Sequence, residues 1–111
     1  MTKATDFIII TALEEEREAV LGKLTRVRRL APSLADVQTY YSARLPVTFS
    51  NGSQGVYKVI VLSLIGMGRV QAATATSDAI RKCNPRYVIL VGVAGGVAAS
   101  NIGLGDVIVS D

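Results

Sequence analysis

Three glutamates behind an apolar run, two glycine-rich segments and the complete absence of histidine delimit the chemistry open to this chain. Glu14-Glu15-Glu16 follow Phe7–Thr11 with only Ala12 and Leu13 between. A carboxylate in the first turn of a helix can hold a water for attack or orient a sugar hydroxyl. It can equally be a solvated match to the positive end of the helix dipole. Gly66-Met67-Gly68, followed by Arg69, offers backbone N–H groups at a helix start to an anion or a sugar hydroxyl; a tight strand-to-helix turn is the plain alternative. Val91-Gly92-Val93-Ala94-Gly95-Gly96 follows the apolar Tyr87-Val88-Ile89-Leu90 and precedes Gly103-Leu104-Gly105-Asp106. Small residues at such a strand end let a flat ligand lie against backbone groups, although glycine pairs there also serve simply as turns.

Other chemistries are excluded by what is missing. The GxxxxGK[ST] phosphate loop does not occur, and Gly66-x-Gly68 lacks the third glycine and later acidic residue of a dinucleotide fingerprint. With no histidine, acid–base work near neutral pH falls to carboxylates or to water held by them. Cys83 is the one cysteine, so neither an internal disulfide nor a zinc ligand set is available, and no metal or cofactor is expected. The cysteine reads as a small core residue near a helix end. Ser63, Ser100 and Ser110 have no histidine to activate them as nucleophiles.

At 111 residues the chain fits one domain unit, residues 1–111, with a modest core. Half of it is hydrophobic but only 5% aromatic, and its net charge of +3 is dispersed, with Arg26, Arg28 and Arg29 the densest group. A nucleic-acid surface needs a basic stripe interleaved with aromatic residues, so nucleic acid is not an expected partner. No stretch approaches the ~20 apolar residues of a membrane span, and the opening residues are too short and acidic for a secretory leader. A cytoplasmic protein without a membrane partner is expected.

These groups must be positioned by alternating strands and helices. Phe7–Thr11 is a continuous β-branched run, as in a strand of a largely parallel sheet buried on both faces. Leu13–Leu24 follows as a helix with Leu13, Val20, Leu21 and Leu24 towards one side and Glu14, Glu15 and Glu18 towards solvent. From Thr25 to Ser50 the pattern is weak: Pro32 breaks it, and Thr39–Thr48 alternates like an edge strand interrupted at Pro46. Asn51–Gly55 is a turn cluster leading into Tyr57–Leu64, which predicts a hairpin. Arg69–Cys83 predicts a helix, with Val70, Ala73, Ile80 and Cys83 at helical spacing and Asn84-Pro85 as its stop. Tyr87–Val93 and Asp106–Ser110 read as two more buried strands. The order predicts a three-layer α/β/α fold with a mixed central sheet. Ligands of such sheets collect beyond the carboxyl ends of strands, where Glu14–Glu16 and Val93–Gly96 would share a crevice. Asp111 ends the sequence directly after an apolar strand with no helix to cover it, which predicts part of a longer domain or a second copy over that face.

The four patterns, in this order, resemble the nucleoside phosphorylase/nucleosidase superfamily, most closely its methylthioadenosine/S-adenosylhomocysteine nucleosidase branch, over the N-terminal half of that family's domain. Ala12-Leu13-Glu14-Glu15-Glu16 is similar to the nucleosidases' Ala-Met-Glu-Glu-Glu. Ile65-Gly66-Met67-Gly68-Arg69-Val70 is similar to their Gly-Ile-Gly-Lys-Val turn, Val93-Ala94-Gly95-Gly96 to their Ser-Ala-Gly-Gly loop, and Gly103–Asp111 to Val-Gly-Asp-Ile-Val-Val-Ser-Asp. The resemblance implies a phosphorylase/hydrolase-like partial domain in which Glu16 positions the attacking water. It further implies that Gly66, Met67 and Gly68 line the ribose side, and that Val93, Ala94 and Gly95 border the purine and the water. Leu90 and Val93 stand where the family's phosphorylases carry a phosphate-binding Arg and Ser, a departure that favours hydrolysis over phosphorolysis. The family's ribose-binding Met–Glu pair and its purine-protonating Asp belong to the C-terminal half. The expectation is therefore a purine nucleoside N-glycosidase, a homodimer acting on a small-molecule adenine nucleoside, whose activity needs that second half. The alternatives are a nucleoside phosphorylase and a non-catalytic nucleoside- or nucleotide-sensing domain of a larger signalling or defence protein.

Overall fold

The computed structural model describes residues 5–30, 39–92 and 107–109. In chain order the elements are β1 (Phe7–Thr11), α1 (Glu14–Leu21), β2 (Thr25–Arg29), β3 (Thr39–Thr48), β4 (Gln54–Ser63), α2 (Arg69–Cys83) and β5 (Tyr87–Leu90). One five-stranded sheet runs β2-β3-β4-β1-β5. Its β1 strand pairs in parallel with both β4 and β5, whereas β3 runs antiparallel to β4 and to β2. The unbroken Phe-Ile-Ile-Ile-Thr of β1 suits this place between two parallel neighbours: Ile8, Ile10 and Thr11 are buried and Phe7 and Ile9 partly so.

Register separates the two faces. Ile8 and Ile10 lie level with Ile60 and Leu62 of β4, and Tyr40 of β3 is opposite Leu62. These side chains form the main core cluster with Ala79 of α2, and Leu30, Leu64 and Cys83 pack against it. Ala75 and Ala79 are completely buried, so α2 approaches the sheet closely through methyl groups. On the opposite face Arg17 of α1 places its guanidinium 5.6 Å from the centroid of the Tyr41 ring, a cation–π contact that seats α1 there. Helix, sheet, helix is the three-layer α/β/α arrangement read from the sequence.

Several local expectations are corrected. Helix α1 stops at Leu21 rather than Leu24, because Gly22 ends the regular turns and Lys23 and Leu24 donate their N–H groups only three residues back. Leu13 is exposed and the buried residue of α1 is Glu16. Strand β2 lies in the stretch of weak pattern. It carries Thr-Arg-Val-Arg-Arg, is exposed throughout, and includes Arg26 at φ 51°, with the register to β3 shifting between Thr25 and Arg28. Pro46 does not interrupt β3, whose pairing to β4 continues through Pro46 opposite Val56. The ladder from β2 reaches only to Arg44, so beyond it the outer edge of β3 can accept a residue without an N–H.

On α2, Val70, Ala73 and Ile80 are exposed, and the helix turns Ala75 and Ala79 inwards instead. Its end is as expected: Asn84 takes the left-handed conformation at φ 46° and donates its N–H to Ile80 O. Strand β5 ends at Leu90 rather than Val93, although Val91 still donates to Ile10 O. It is not buried: Tyr87 and Leu90 are 59% and 74% exposed. Its composition is that of a covered strand, but no described element lies over it. Val107–Val109, the described part of the third expected strand, forms no strand and is exposed, since a strand needs a ladder partner as well as apolar residues.

Candidate active site

The carboxyl ends of β1, β4 and β5 lie side by side, and the chain leaves each of them through residues that carry the candidate chemistry. Beyond β1, Ala12 and Leu13 lead into α1, and Leu13 is its extended N-cap residue. Leucine has no side-chain acceptor for the first-turn N–H groups, and only the reciprocal half of a capping box forms. Glu16 turns back and its Oε1 accepts the N–H groups of both Ala12 and Leu13 at 3.0 Å. The glutamate is only 7% exposed. Two bonds to a single oxygen fix the plane of the carboxylate, and the second oxygen is carried towards the end of β5: a Cβ built on Gly92 would stand 3.5 Å from Glu16 Oε2. Glu14 and Glu15 are exposed; Arg17 pairs with Glu14 at 3.7 Å and with Glu18 at 3.0 Å. Of the three glutamates in the motif, only the third is placed to meet a ligand at the strand ends.

Beyond β4, Leu64 donates its N–H to Thr11 O at 2.9 Å, tying the start of the glycine loop to the end of β1. The loop closes with Met67 N–H on Leu64 O at 3.0 Å. Gly66 sits at φ 78°, a conformation that an L side chain rarely takes. Gly68 is extended and caps α2, where Gln71 Oε1 accepts its N–H at 3.3 Å. That N–H is thus already engaged, contrary to the expectation of a free donor. A Cβ at either glycine would meet nothing within 4 Å among the described residues, so against these the loop presents open space rather than packing. The structure therefore brings Glu16, Gly66, Met67 and Gly68 to one edge of the sheet. Val93, Ala94 and Gly95 lie outside the described residues.

Two hydroxyls also lie at this edge, Thr11, for which the sequence suggested no role, and Ser63, which it dismissed as a nucleophile. Thr11 is opposite Ser63 in the β1–β4 register, and both are buried, at 0% and 3% exposure. Both belong to the odd-numbered face that carries α1, away from the Ile8–Ile10 cluster. The available signal was their position as the last residues of two buried parallel strands. Cys83 lies elsewhere, beside the main core at the end of α2. Burial pushes its thiol above the ordinary value of 9.0, opposed by the charges of Lys58 and Lys82, so it remains a thiol near neutral pH.

Comparison with known proteins places this geometry. The family model of the Phosphorylase superfamily matches residues 6–111. A 5'-methylthioadenosine/S-adenosylhomocysteine nucleosidase of Staphylococcus haemolyticus is 34% identical over 103 residues, which cover 93% of this chain and 39% of the relative. The Staphylococcus aureus protein of the same name is 33% identical over 105 residues, with the same coverage. Among solved structures, the S-adenosylhomocysteine nucleosidase of Streptococcus pyogenes in complex with 5-methylthiotubericidin superposes with a TM-score of 0.66 at 27% identity, over 95% of this chain and 39% of that one. The nucleosidase of Colwellia psychrerythraea in complex with adenine gives 0.62 at 30% identity, over 89% and 36%. The chain thus spans about two fifths of the length of the relatives it matches.

Proposed function

The chain belongs to the phosphorylase superfamily, and from that premise we propose that the intact protein is a purine nucleoside N-glycosidase that hydrolyses an adenine nucleoside to free base and sugar. The observation that carries this reading is the Glu16 carboxylate, buried, immobilised through Oε1 and directed through Oε2 towards the end of β5. The nucleosidase names and the bound adenine of its relatives support the substrate class.

In this mechanism Oε2 of Glu16 accepts a hydrogen bond from a water molecule beside the anomeric carbon. The C–N glycosidic bond breaks with its electron pair leaving on the base, and the sugar passes through an oxocarbenium-like state. The water oxygen then bonds to the anomeric carbon while its proton passes to Glu16. The departing purine takes up a proton from an acid other than Glu16, which the resemblance assigns to the family's C-terminal half. Gly66, Met67 and Gly68 offer an open backbone wall for the ribose, and Val93, Ala94 and Gly95 belong to the purine side by the motif match alone. Leu90 carries no charge where a phosphate dianion would need a guanidinium, which favours water as the nucleophile. Cytoplasmic location and assembly as a homodimer belong to the same proposal; the exposed apolar β5 is the surface that supports assembly.

The test is base release by the intact protein from methylthioadenosine, S-adenosylhomocysteine and adenosine, with and without inorganic phosphate. Free adenine and free sugar in both conditions are expected. A phosphate-dependent sugar 1-phosphate would establish a phosphorylase instead, and tight nucleoside binding without any base release would establish a sensing domain.

A further inference from the structure

Thr11 Oγ1 is completely buried and has no hydrogen-bond partner among the described residues. A buried hydroxyl without a partner is costly, and the great majority of such groups are satisfied by protein or by an ordered molecule. This one terminates β1, which lies between the parallel strands β4 and β5. Its own carbonyl holds Leu64, the first residue of the glycine loop, and the next two residues supply the N–H groups that fix Glu16 Oε1. Across the parallel ladder lies Ser63, also buried and on the same face, while Val91 on the other side is tied to β1 through Ile10 O. An apolar β-branched residue of the same shape would fill the position without leaving a polar atom unpaired.

We infer that Thr11 contacts the reacting species: its hydroxyl hydrogen-bonds to the water that Glu16 holds, fixing that water together with the carboxylate. This rests on the nucleosidase reading of the Glu16 site. A hydroxyl can accept and donate at once, so it can receive one water proton while Glu16 receives the other, leaving a lone pair of the water oxygen for the anomeric carbon. Positioning of this kind acts on turnover more than on substrate affinity.

The experiment compares wild type, Thr11→Val and Thr11→Ser in the intact protein, with adenine release and thermal melting measured on each. Thr11→Val preserves the shape and removes the unpaired hydroxyl, so its Tm is expected to equal or exceed that of wild type. Its kcat should fall about tenfold or more with KM within about threefold, and Thr11→Ser should recover most of the loss. Retention of wild-type kcat by Thr11→Val overturns the inference while leaving the nucleosidase reading in place. A Tm several degrees lower together with a loss that serine does not repair also overturns it, since the hydroxyl then serves only the fold. Absence of base release by wild type itself overturns both readings, an outcome separate from failure of the variant alone.

Discussion

Replacing Glu16 by glutamine separates the two roles open to this residue, helix cap and holder of the nucleophile. The amide retains one carbonyl oxygen, which can occupy the Oε1 position and accept from Ala12 and Leu13 as before. Its NH2 group must then lie where Oε2 faces Gly92, because the reverse orientation sets donor against donor. Two charge-assisted bonds become neutral ones, a loss of about 1 kcal/mol each and so about 2 kcal/mol of stability. The variant therefore folds, with a melting temperature lower by several degrees.

Turnover should respond far more strongly. The water that donated to Oε2 now meets a donor, and no base takes its proton, so kcat is expected to fall by about 10² to 10⁴ while nucleoside affinity stays within about fivefold. The assay is adenine release together with calorimetric binding of the same nucleoside, with Glu15→Gln as a control because Glu15 is exposed and should leave both quantities unchanged. If Glu16→Gln shows the stability loss but keeps kcat within about threefold, Glu16 is a helix cap and the assignment of the nucleophile to it is refuted.

Gly92→Ala should fold normally, since its Cβ would make only an ordinary 3.5 Å contact with Glu16 Oε2, yet lower kcat/KM about tenfold by occupying space beside the reacting oxygen; an unchanged kcat/KM would move the water elsewhere. Gly66→Ala must hold φ near 78° and should cost about 1–2 kcal/mol in chemical denaturation, whereas Gly68→Ala, extended and with open space before it, should leave stability unchanged and raise KM if that space receives the ribose. Cys83, with its thiol pushed above 9.0, should alkylate with iodoacetamide more slowly at pH 8 than an unfolded control. Because the folded pKa is the higher one, the associated stability is complete below the unfolded value and declines as pH rises through the folded value; constant stability across that alkaline range would contradict the burial of the thiol.

The parts legible in the sequence are those whose cause is local. Phe7–Thr11 was readable because five consecutive apolar or β-branched residues suit a central parallel strand, and Arg69–Cys83 because Asn84-Pro85 ends a helix by its own backbone preferences. Strand β2 was not readable: it owes its place to pairing with β3, and arginines on an exposed edge carry no burial signal. Pro46 marked an interruption only on the assumption that both edges of β3 are paired along its whole length, and the short reach of β2 removes that condition. The expected burial of Tyr87–Leu90 depended on an element lying over it, which composition cannot report. The mistaken face of α2 and the exposure of Leu13 have one origin, since helical spacing alone ranks large apolar residues as inward, yet Ala75, Ala79 and Glu16 are what the sheet admits, while Val20, Leu21 and Leu24 are partly buried as expected.

Glu16 shows how stability and chemistry coincide at one atom pair. A leucine at the N-cap offers no side-chain acceptor to the first turn of α1, and Glu16 supplies the other half of a capping box by accepting from the N–H groups of Ala12 and Leu13. The same two bonds remove the rotational freedom that would otherwise let the carboxylate swing into solvent with Glu14 and Glu15. The cap thus does part of the work of preorganisation before any ligand arrives, and a threonine or serine at position 13 would complement it, accepting from the backbone N–H of Glu16 while the Glu16 carboxylate still accepts from that of residue 13. The position of β1 between β4 and β5 extends this arrangement, because one strand end anchors the glycine loop through Thr11 O, the carboxylate through Ala12 and Leu13, and the start of the β5 exit through Ile10 O. A displacement of that strand by one residue would exchange its two faces and move all three anchors together. The precision of the site therefore rests on the burial of Ile8 and Ile10 as much as on the polar residues at its edge.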